Sequence, residues 1–134
     1  MAGTFEFELV SPEKLLISRQ VEMVVVPGGD GTFGVLRGHV PLISNIRPGV
    51  IEVYDRRPVA SERLFVAGGF AEVTGERCTV LVESVIAVGD IDREQLDREV
   101  ADLSEDLADA KADADRKEIE GKLQVARAKR VAVS

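Results

Sequence analysis

The sequence predicts a β-sandwich followed by an α-helical hairpin. Up to residue 88, short apolar runs alternate with turns that contain glycine and proline, at the close spacing typical of sandwiches and flattened barrels. From Asp90 to Ser134 there is no proline and only one glycine, and apolar residues recur at helical spacing. We therefore expect an antiparallel β-sandwich or flattened barrel at 1–88 and a two-helix antiparallel hairpin at 89–134.

The strand candidates follow one another through the N-terminal segment. Phe5 to Leu9 alternates apolar and acidic side chains, as a half-buried strand does, and Ser11-Pro12 turns the chain. Further candidates are 15–17, 21–26, 49–54, 63–67, 70–74, 78–82 and 85–88. Thr74 to Arg77 is predicted to form a hairpin connection, and Gly68-Gly69 a bulge or sharp bend.

The stretch 21–51 is rich in glycine and contains a misleading motif. Residues 29–34 match Gly-x-Gly-x-x-Gly after a strand-like run, which is the dinucleotide-binding pattern. That pattern needs a helix to begin at its last glycine, and Gly38 and Pro41 would break such a helix. We expect tight turns between short strands instead. A helix after Gly34 would restore the dinucleotide interpretation.

The C-terminal segment carries two apolar stripes. The first comprises Leu96, Val100, Leu103, Leu107, Ala110 and Ala114, and the second comprises Ile119, Leu123 and Ala126. Asp92 is placed to cap the first helix, with Gln95 three residues later. The turn and second cap are predicted at 113–115 with Glu118, and one long helix is the alternative.

Charge separates the two predicted helices. Residues 92–115 contain ten acids and three bases, whereas residues 116–130 contain six bases and two acids. An antiparallel hairpin places the acidic helix beside the basic one, and each exposed pair is worth only ~0.2–1 kcal/mol. Because the alanine-rich seam is thin, we expect a hairpin able to detach from its neighbouring surface. A plain helical appendage is the alternative.

The composition argues against several classes of protein. A net charge of −7 with few aromatic residues is unfavourable for nucleic-acid binding. No stretch approaches the ~20 apolar residues of a membrane span, and the first residues lack the features of a signal peptide. The single cysteine, Cys78, indicates a reducing compartment. We expect its side chain to act as a small buried apolar residue. We expect a cytosolic protein that reaches a membrane only through a partner.

Catalytic and metal-binding patterns have little support. His39 is the only histidine and Cys78 the only cysteine, although histidine is the usual general base near neutral pH. Tetrahedral metal sites also need several such ligands. We therefore expect a non-catalytic binding module with no cofactor or metal. An enzyme of the sandwich class is an alternative, and the absence of convergent polar residues argues against it.

The glycine-rich stretch resembles the ε subunit of bacterial F-type ATP synthases. The shared pattern is Pro27-Gly28-x-x-Gly31-x-x-Gly34-Val35-Leu36-x-Gly38-His39-x-Pro41-Leu42-Ile43, followed by Pro48-Gly49-x-Ile51. Val10-Ser11-Pro12, Gly68-Gly69-Phe70 and Ile91-Asp92 continue the agreement. The resemblance therefore covers essentially the whole chain.

The resemblance implies a non-catalytic rotor subunit of the central stalk, which links γ to the c ring and couples proton translocation to ATP synthesis. It also implies a peripheral location at the cytoplasmic face of the bacterial inner membrane. The loop that would approach the c ring comprises Gly28, Asp30, Gly31, Thr32 and Phe33. The resemblance also implies that His39 faces γ. Thr32 stands where some members carry an acidic residue, so we expect no charged contact from that position.

The resemblance further implies a regulatory hairpin. In many members the helices extend along γ toward the catalytic α and β subunits and inhibit ATP hydrolysis. Here the second predicted helix has basic residues near its end. We hypothesise that Arg127, Lys129 and Arg130 meet acidic surfaces on β.

Some members of the family bind ATP between the hairpin helices, through Ile-Asp-x-x-Arg-Ala and arginines of the last helix. Ile91 and Asp92 match this motif, and Arg127 resembles part of the second-helix pattern. Gln95 and Leu96 replace the Arg-Ala pair, which removes a charge-assisted phosphate contact. We expect no bound nucleotide, and a soluble ATP-sensing regulatory module is the alternative.

Overall fold

The computed structural model describes residues 3–134 and folds them into ten strands followed by two helices. The strands are Phe5–Val10 (β1), Leu15–Val21 (β2), Met23–Gly28 (β3), Gly31–Val35 (β4), Leu42–Ile46 (β5), Gly49–Tyr54 (β6), Glu62–Val66 (β7), Gly69–Val73 (β8), Arg77–Val82 (β9) and Val85–Ala87 (β10). A short 3₁₀ helix, Val88–Asp90, leads into Arg93–Asp109 (α1) and Asp113–Ala132 (α2). The predicted fold class, a β-sandwich followed by a helical hairpin, is confirmed.

The strands form one continuous sheet that curls over on itself. Its order is β10-β7-β6-β3-β5-β8-β9-β1-β2, and β4 pairs with the other side of β3. Strands β3 and β5 are joined through a single residue pair, Gly28 with Ile46. We divide the sheet at that pair into a first half (β3, β4, β6, β7 and β10) and a second half (β1, β2, β5, β8 and β9). Among the described pairs, only β1 with β9 is parallel.

The core fills the space between the two halves. Phe7 and Val80 enter it from the second half, and Val24 and Val53 from the first, and all four are fully buried. No buried residue within 3–134 is polar or charged. Hydrophobic burial therefore holds the halves together, at about 1.5–3 kcal/mol for each fully buried large apolar side chain.

The glycine-rich stretch contains two strands, β4 and β5, for which no bounds were predicted. Strand β4 runs antiparallel to β3 and includes Gly34, which pairs with Val25. The backbone is therefore extended where the dinucleotide motif requires a helix, and the dinucleotide interpretation is excluded. The boundary before this stretch also differs from prediction. Val21 ends β2 instead of beginning β3, because the polar Arg19 and Gln20 continue the pairing with β1.

The predicted bend at Gly68-Gly69 is confirmed. There the chain passes from β7 in the first half to β8 in the second half. The φ angles of Gly68 and Gly69 are +139° and +155°, in the region that favours glycine. A Cβ atom on Gly69 would overlap the carbonyl oxygen of Leu81. The crossing between halves therefore requires glycine at position 69.

The start of α1 is as predicted, but the turn between the helices is not. The Asp92 carboxylate accepts a hydrogen bond from the backbone N–H of Gln95 at 3.1 Å. Helix α1 ends at Asp109 and α2 begins at Asp113, after an N-cap residue, Ala112, that makes no side-chain cap. The predicted turn at 113–115 is wrong, and so is the single long helix. Asp113 and Asp115 lie in the first turn of α2, where negatively charged side chains interact favourably with the helix dipole.

The hairpin lies with α2 against the first half of the sheet. Helix α2 contacts β6, and the apolar cluster at the base of the hairpin contains Leu96, Ala126 and Val133. Three members of the first stripe, Val100, Leu103 and Leu107, are half-buried. Ala114 departs from the prediction, because it belongs to α2 and is exposed. Neither α1 nor α2 combines the length and the apolar character that crossing a membrane requires.

Candidate functional site

The tip of the β3–β4 hairpin carries most of the residues predicted to contact a partner. Gly29 and Asp30 form its two-residue turn and are exposed, as are Gly31 and Thr32. Gly28, in contrast, is buried. A Cβ atom there would lie 2.6 Å from the carbonyl oxygen of Gly31 and 2.8 Å from the Phe33 ring. Gly28 therefore lets the two strands of the hairpin close, and the residues after it form its surface.

Arg47, for which the sequence predicted no role, holds this tip in place. Its guanidinium donates to the carbonyl oxygen of Gly28 at 2.5 Å and to the Thr32 hydroxyl at 2.8 Å. Its backbone N–H donates to the carbonyl oxygen of Pro27 at 2.9 Å. Sequence spacing gives no sign of these contacts, because they depend on how the β3–β4 hairpin lies beside the end of β5. The result is a braced loop whose exposed end is Asp30.

His39 lies in the connection between β4 and β5, beside the hairpin tip. Its backbone N–H donates to the carbonyl oxygen of Leu36, and its Nδ1 lies 2.6 Å from the carbonyl oxygen of Val40. Because a carbonyl oxygen only accepts, Nδ1 carries the proton in this contact. The ring centroids of His39 and Phe33 are 6.3 Å apart. The fold therefore brings these two predicted contact residues together.

The outer face of the second half exposes an apolar surface next to the tip. The strand register places Phe70 of β8 opposite Leu81 of β9, and Ile43 lies on the same face of β5. These side chains are 42%, 50% and 63% exposed, in that order, and Val40 is 75% exposed. We call Ile43, Phe70 and Leu81 the apolar face. The sequence carried a signal for it, since β9 is apolar at consecutive positions and so has apolar side chains on both faces.

The residues predicted as remnants of a nucleotide site have structural roles here. Ile91 packs against the apolar cluster at the base of the hairpin, and the Asp92 carboxylate caps α1. Arg127 is exposed on α2. Among residues 3–134, no group of three or more histidine, cysteine, aspartate or glutamate side chains is arranged to hold a metal ion.

The other two predicted regulatory bases already have partners in this structure. The Lys129 ammonium lies 5.7 Å from the centroid of the Phe65 ring, in a cation–π contact. The Arg130 guanidinium lies 2.9 Å from the Asp97 carboxylate of α1. Both contacts hold the end of α2 to its surroundings.

The shifts in pKa of the titratable groups have local physical causes. Burial raises the pKa of the Cys78 thiol to about 12, so it remains a neutral apolar side chain in the core. The hydrogen bond from the Arg57 guanidinium lowers the pKa of the Glu22 carboxyl. Burial, followed by the charge of Glu52, raises the pKa of Tyr54. None of these groups belongs to the apolar face.

Two family models together match nearly all of the sequence. Residues 4–88 match the model described as ATP synthase, Delta/Epsilon chain, beta-sandwich domain. Residues 92–134 match the model described as the C-terminal domain of the ATP synthase epsilon chain.

Similar proteins agree with these matches. The chain is 53% identical to the ATP synthase epsilon chain of Rhodospirillum centenum, over 96% of this chain and 91% of that protein. It is 48% identical to the ATP synthase epsilon chain of Paramagnetospirillum magneticum over the full length of both.

Two solved structures contain chains of the same fold. One belongs to the Euglena gracilis mitochondrial ATP synthase (OSCP/F1/c-ring), with a TM-score of 0.89 at 20% identity, covering 98% of this chain and 82% of that one. The other belongs to the Tetrahymena thermophila mitochondrial ATP synthase (central stalk/c-ring), with a TM-score of 0.74 at 12% identity, covering 97% and 96%.

Proposed function

The chain belongs to the ATP synthase epsilon chain family, and we propose that it is a non-catalytic rotor subunit in the central stalk of a proton-translocating F-type ATP synthase. In this role it links the γ subunit to the c ring and couples proton flow to ATP synthesis. It lies peripherally at the cytoplasmic face of the bacterial inner membrane and reaches the membrane only through the c ring. The chains of similar fold come from assemblies described as containing F1, the c-ring or the central stalk, which supports this role.

The apolar face is the observation that carries the proposal. Contiguous exposed apolar side chains on a soluble protein mark a surface that another protein covers. Phe70 and Leu81 lie opposite each other on neighbouring strands, and Ile43 lies on the same face beside Glu72. Phe33 lines one groove together with Ile43, and His39 lies beside Phe33. We assign the apolar face and His39 to the contact with γ. The braced tip, with Gly31, Thr32 and Phe33 around Asp30, is assigned to the loops of the c ring.

The stiffness of the fold suits a rotor subunit. A subunit that transmits torque between two partners must keep its two contact surfaces in a fixed relation. The tip and the apolar face are joined here by Arg47 and by the β3–β5 pairing at Gly28 and Ile46. Close packing of the core opposes any change in this relation.

The second part of the proposal concerns regulation by the hairpin. We divide the sequence into a stalk-binding unit at 1–88 and a regulatory unit at 89–134. The regulatory unit inhibits ATP hydrolysis through contacts of Arg127, Lys129 and Arg130 with the catalytic α and β subunits. Basic side chains at the end of α2 are suited to acidic partner surfaces.

Binding of the purified protein to γ tests the first part of the proposal. Leu81→Asp places a charge on the apolar face, and burying an unpaired carboxylate is costly. We expect affinity for γ to fall at least about tenfold, which corresponds to ~1.4 kcal/mol. Val59→Asp is the matched control, since Val59 is 74% exposed in the connection between β6 and β7. If both variants bind γ as the parent protein does, the apolar face is not the contact with γ.

A further inference from the structure

The curled sheet does not close into a barrel. Its terminal strands are β10 in the first half and β2 in the second half, and each pairs with one neighbour among the described strands. Strand β10 is only three residues long and covers 64–66 of β7, so the start of β7 also has an unpaired edge. We call the opening between β2 and the β7–β10 pair the seam.

An ion pair crosses the seam on the interior face of the sheet. Arg19 lies opposite Phe7 in the β1–β2 register, and Glu62 lies opposite Val53 in the β6–β7 register. Residues directly opposite in an antiparallel pair share a face, and both Phe7 and Val53 are buried in the core. Arg19 and Glu62 therefore point inward, and their side chains approach to 3.4 Å. At this point side chains, and not a strand pairing, join the two edges.

Next to this ion pair the seam contains an apolar cavity. The same registers place Ile17 opposite Leu9 and Leu64 opposite Ile51, so Ile17 and Leu64 also point inward. The cavity volume is about 790 Å³, within the range of roughly 300–1,000 Å³ that is usual for small-molecule sites. Its apolar wall comprises Leu9, Leu16, Ile17, Leu64, Val85 and Ala87. Part of the apolar interior is therefore open to a ligand.

The edge of β2 is unsuited to pairing with an added strand. The β1–β2 register shifts between Leu9 and Val10, which leaves Leu16 without a partner in β1. Such a bulge disrupts the regular edge, and an inward-pointing charge such as that of Arg19 also opposes the addition of a strand. The cavity beside these features therefore favours an aliphatic chain over an extended peptide.

The polar groups of the cavity favour an uncharged head group. The charged side chains that line it are one of each sign, Glu62 and Arg63. Each is already paired, Glu62 with Arg19 and Arg63 with Glu52, so a charged ligand would compete with an existing ion pair. Among the described hydrogen bonds, none ends on the second carboxylate oxygen of Glu62. A hydroxyl group can donate to that oxygen without bringing a charge into the cavity.

We propose that the seam binds a single-chain, uncharged amphiphile. Its aliphatic chain lies between Ile17 and Leu64, and its hydroxyl head donates to Glu62. The residues of this site belong neither to the tip nor to the apolar face, so the inference does not depend on the proposed function.

The proposal is tested on the full-length protein with monodecanoylglycerol, at concentrations below those at which it forms micelles. Calorimetric titration measures binding, and NMR shifts of the methyl groups of Ile17, Leu64 and Val85 locate it. We expect saturable binding of one molecule, with the largest shifts at these methyl groups. Absence of saturable binding, or largest shifts at Ile43 and Leu81 of the apolar face, would overturn the proposal.

Ala87→Leu tests whether the cavity itself is the site. Ala87 lies opposite Leu64, so the larger side chain occupies the cavity and should weaken binding at least about tenfold. Ala101→Leu is the matched control, because it makes the same change at an exposed position of α1 and should keep the parent affinity.

Leu16→Gln is a second variant in case Ala87→Leu does not fold. It places a polar side chain in the wall of the cavity at the unpaired bulge, and it should also weaken binding. Thermal unfolding shows which variants are folded. A folded variant of either kind that binds monodecanoylglycerol as the parent protein does would exclude the cavity as the site.

Two charged amphiphiles of the same chain length test the head group. Decanoate carries a negative head and decyltrimethylammonium a positive one. Because either charge must displace an exposed ion pair, we expect both to bind up to about fivefold more weakly than monodecanoylglycerol. If either binds as tightly as monodecanoylglycerol or more tightly, the assignment of an uncharged head is wrong.

Discussion

Arg116, in the first turn of α2, donates a hydrogen bond from its guanidinium to the carbonyl oxygen of Leu107 in α1 at 3.2 Å. The same guanidinium nitrogen lies 3.3 Å from the carbonyl oxygen of Ala110. These carbonyls belong to the end of α1, where the helix leaves acceptors unpaired. A side chain of the second helix therefore completes the end of the first and fixes the turn at 110–112.

Replacing Arg116 should loosen the hairpin at this turn. We expect Arg116→Ala to lower the stability of the helices by about 1 kcal/mol, since a hydrogen bond from a charged group is lost at a partly exposed site. Thermal unfolding followed at a helical circular-dichroism band measures the change. Lys117→Ala is the control, because Lys117 is exposed on the same turn. Equal effects of the two substitutions would contradict a specific role for Arg116.

Position 69 should accept no residue other than glycine. In Gly69→Ala the new Cβ would overlap the Leu81 carbonyl oxygen at a φ of +155°. We expect the free energy of unfolding to fall by more than about 2 kcal/mol, from steric overlap together with backbone strain. Urea denaturation of the full-length protein measures it. Gly75→Ala is the control, because a Cβ there would meet nothing within 4 Å, and it should lower the free energy of unfolding far less. A similar loss of stability in both variants would show that steric overlap at position 69 is not the cause.

Gly121, in the middle of α2, offers a stabilising substitution. Nothing lies within 4 Å of a Cβ atom built there, and its φ angle is not in the positive region. Gly121→Ala should raise helix stability by about 0.5–1 kcal/mol, because glycine loses more conformational entropy in a helix than alanine does. The melting temperature of the helical signal reports the gain. A lower melting temperature would show that α2 needs glycine at this position.

Stability should depend on alkaline pH through Cys78. Its pKa is 9.0 when exposed and about 12 when buried in the folded protein. Below pH 9 the thiol keeps its proton in both states, so pH has no effect. Between pH 9 and 12 only the unfolded protein releases the proton, so the free energy of unfolding falls by up to about 1.4 kcal/mol per pH unit.

The comparison with Cys78→Ala isolates this contribution. Other groups also titrate in alkali, among them Tyr54, so the quantity to measure is the difference in slope between the two proteins. We expect the parent protein to lose stability more steeply above pH 9, and the folded thiol to resist alkylation at pH 8. Identical slopes for the two would refute the raised pKa.

Much of this protein could be predicted from its sequence, because the signals are local. Alternating and heptad patterns record which faces of a strand or helix are buried, and they predicted the sandwich, the hairpin and both stripes. The glycines at 68 and 69 predicted a bend, since few other residues adopt positive φ. The cap at Asp92 needs only a carboxylate three residues before an N–H group. The glycine-rich pattern also sufficed to indicate the family.

Tertiary structure decided the features that join residues distant in sequence. The turn at 110–112 has no local signal, because Arg116 sets it by reaching back to α1. The brace of Arg47 on Gly28 and Thr32 exists only once the β3–β4 hairpin lies beside the end of β5. The apolar face forms only when β5, β8 and β9 lie in register. The same holds for the ion pair between α1 and α2, where Asp97 and Arg130 are 33 positions apart in the sequence but 2.9 Å apart in space. A one-dimensional pattern records which residues are buried, and only packing determines which of them meet.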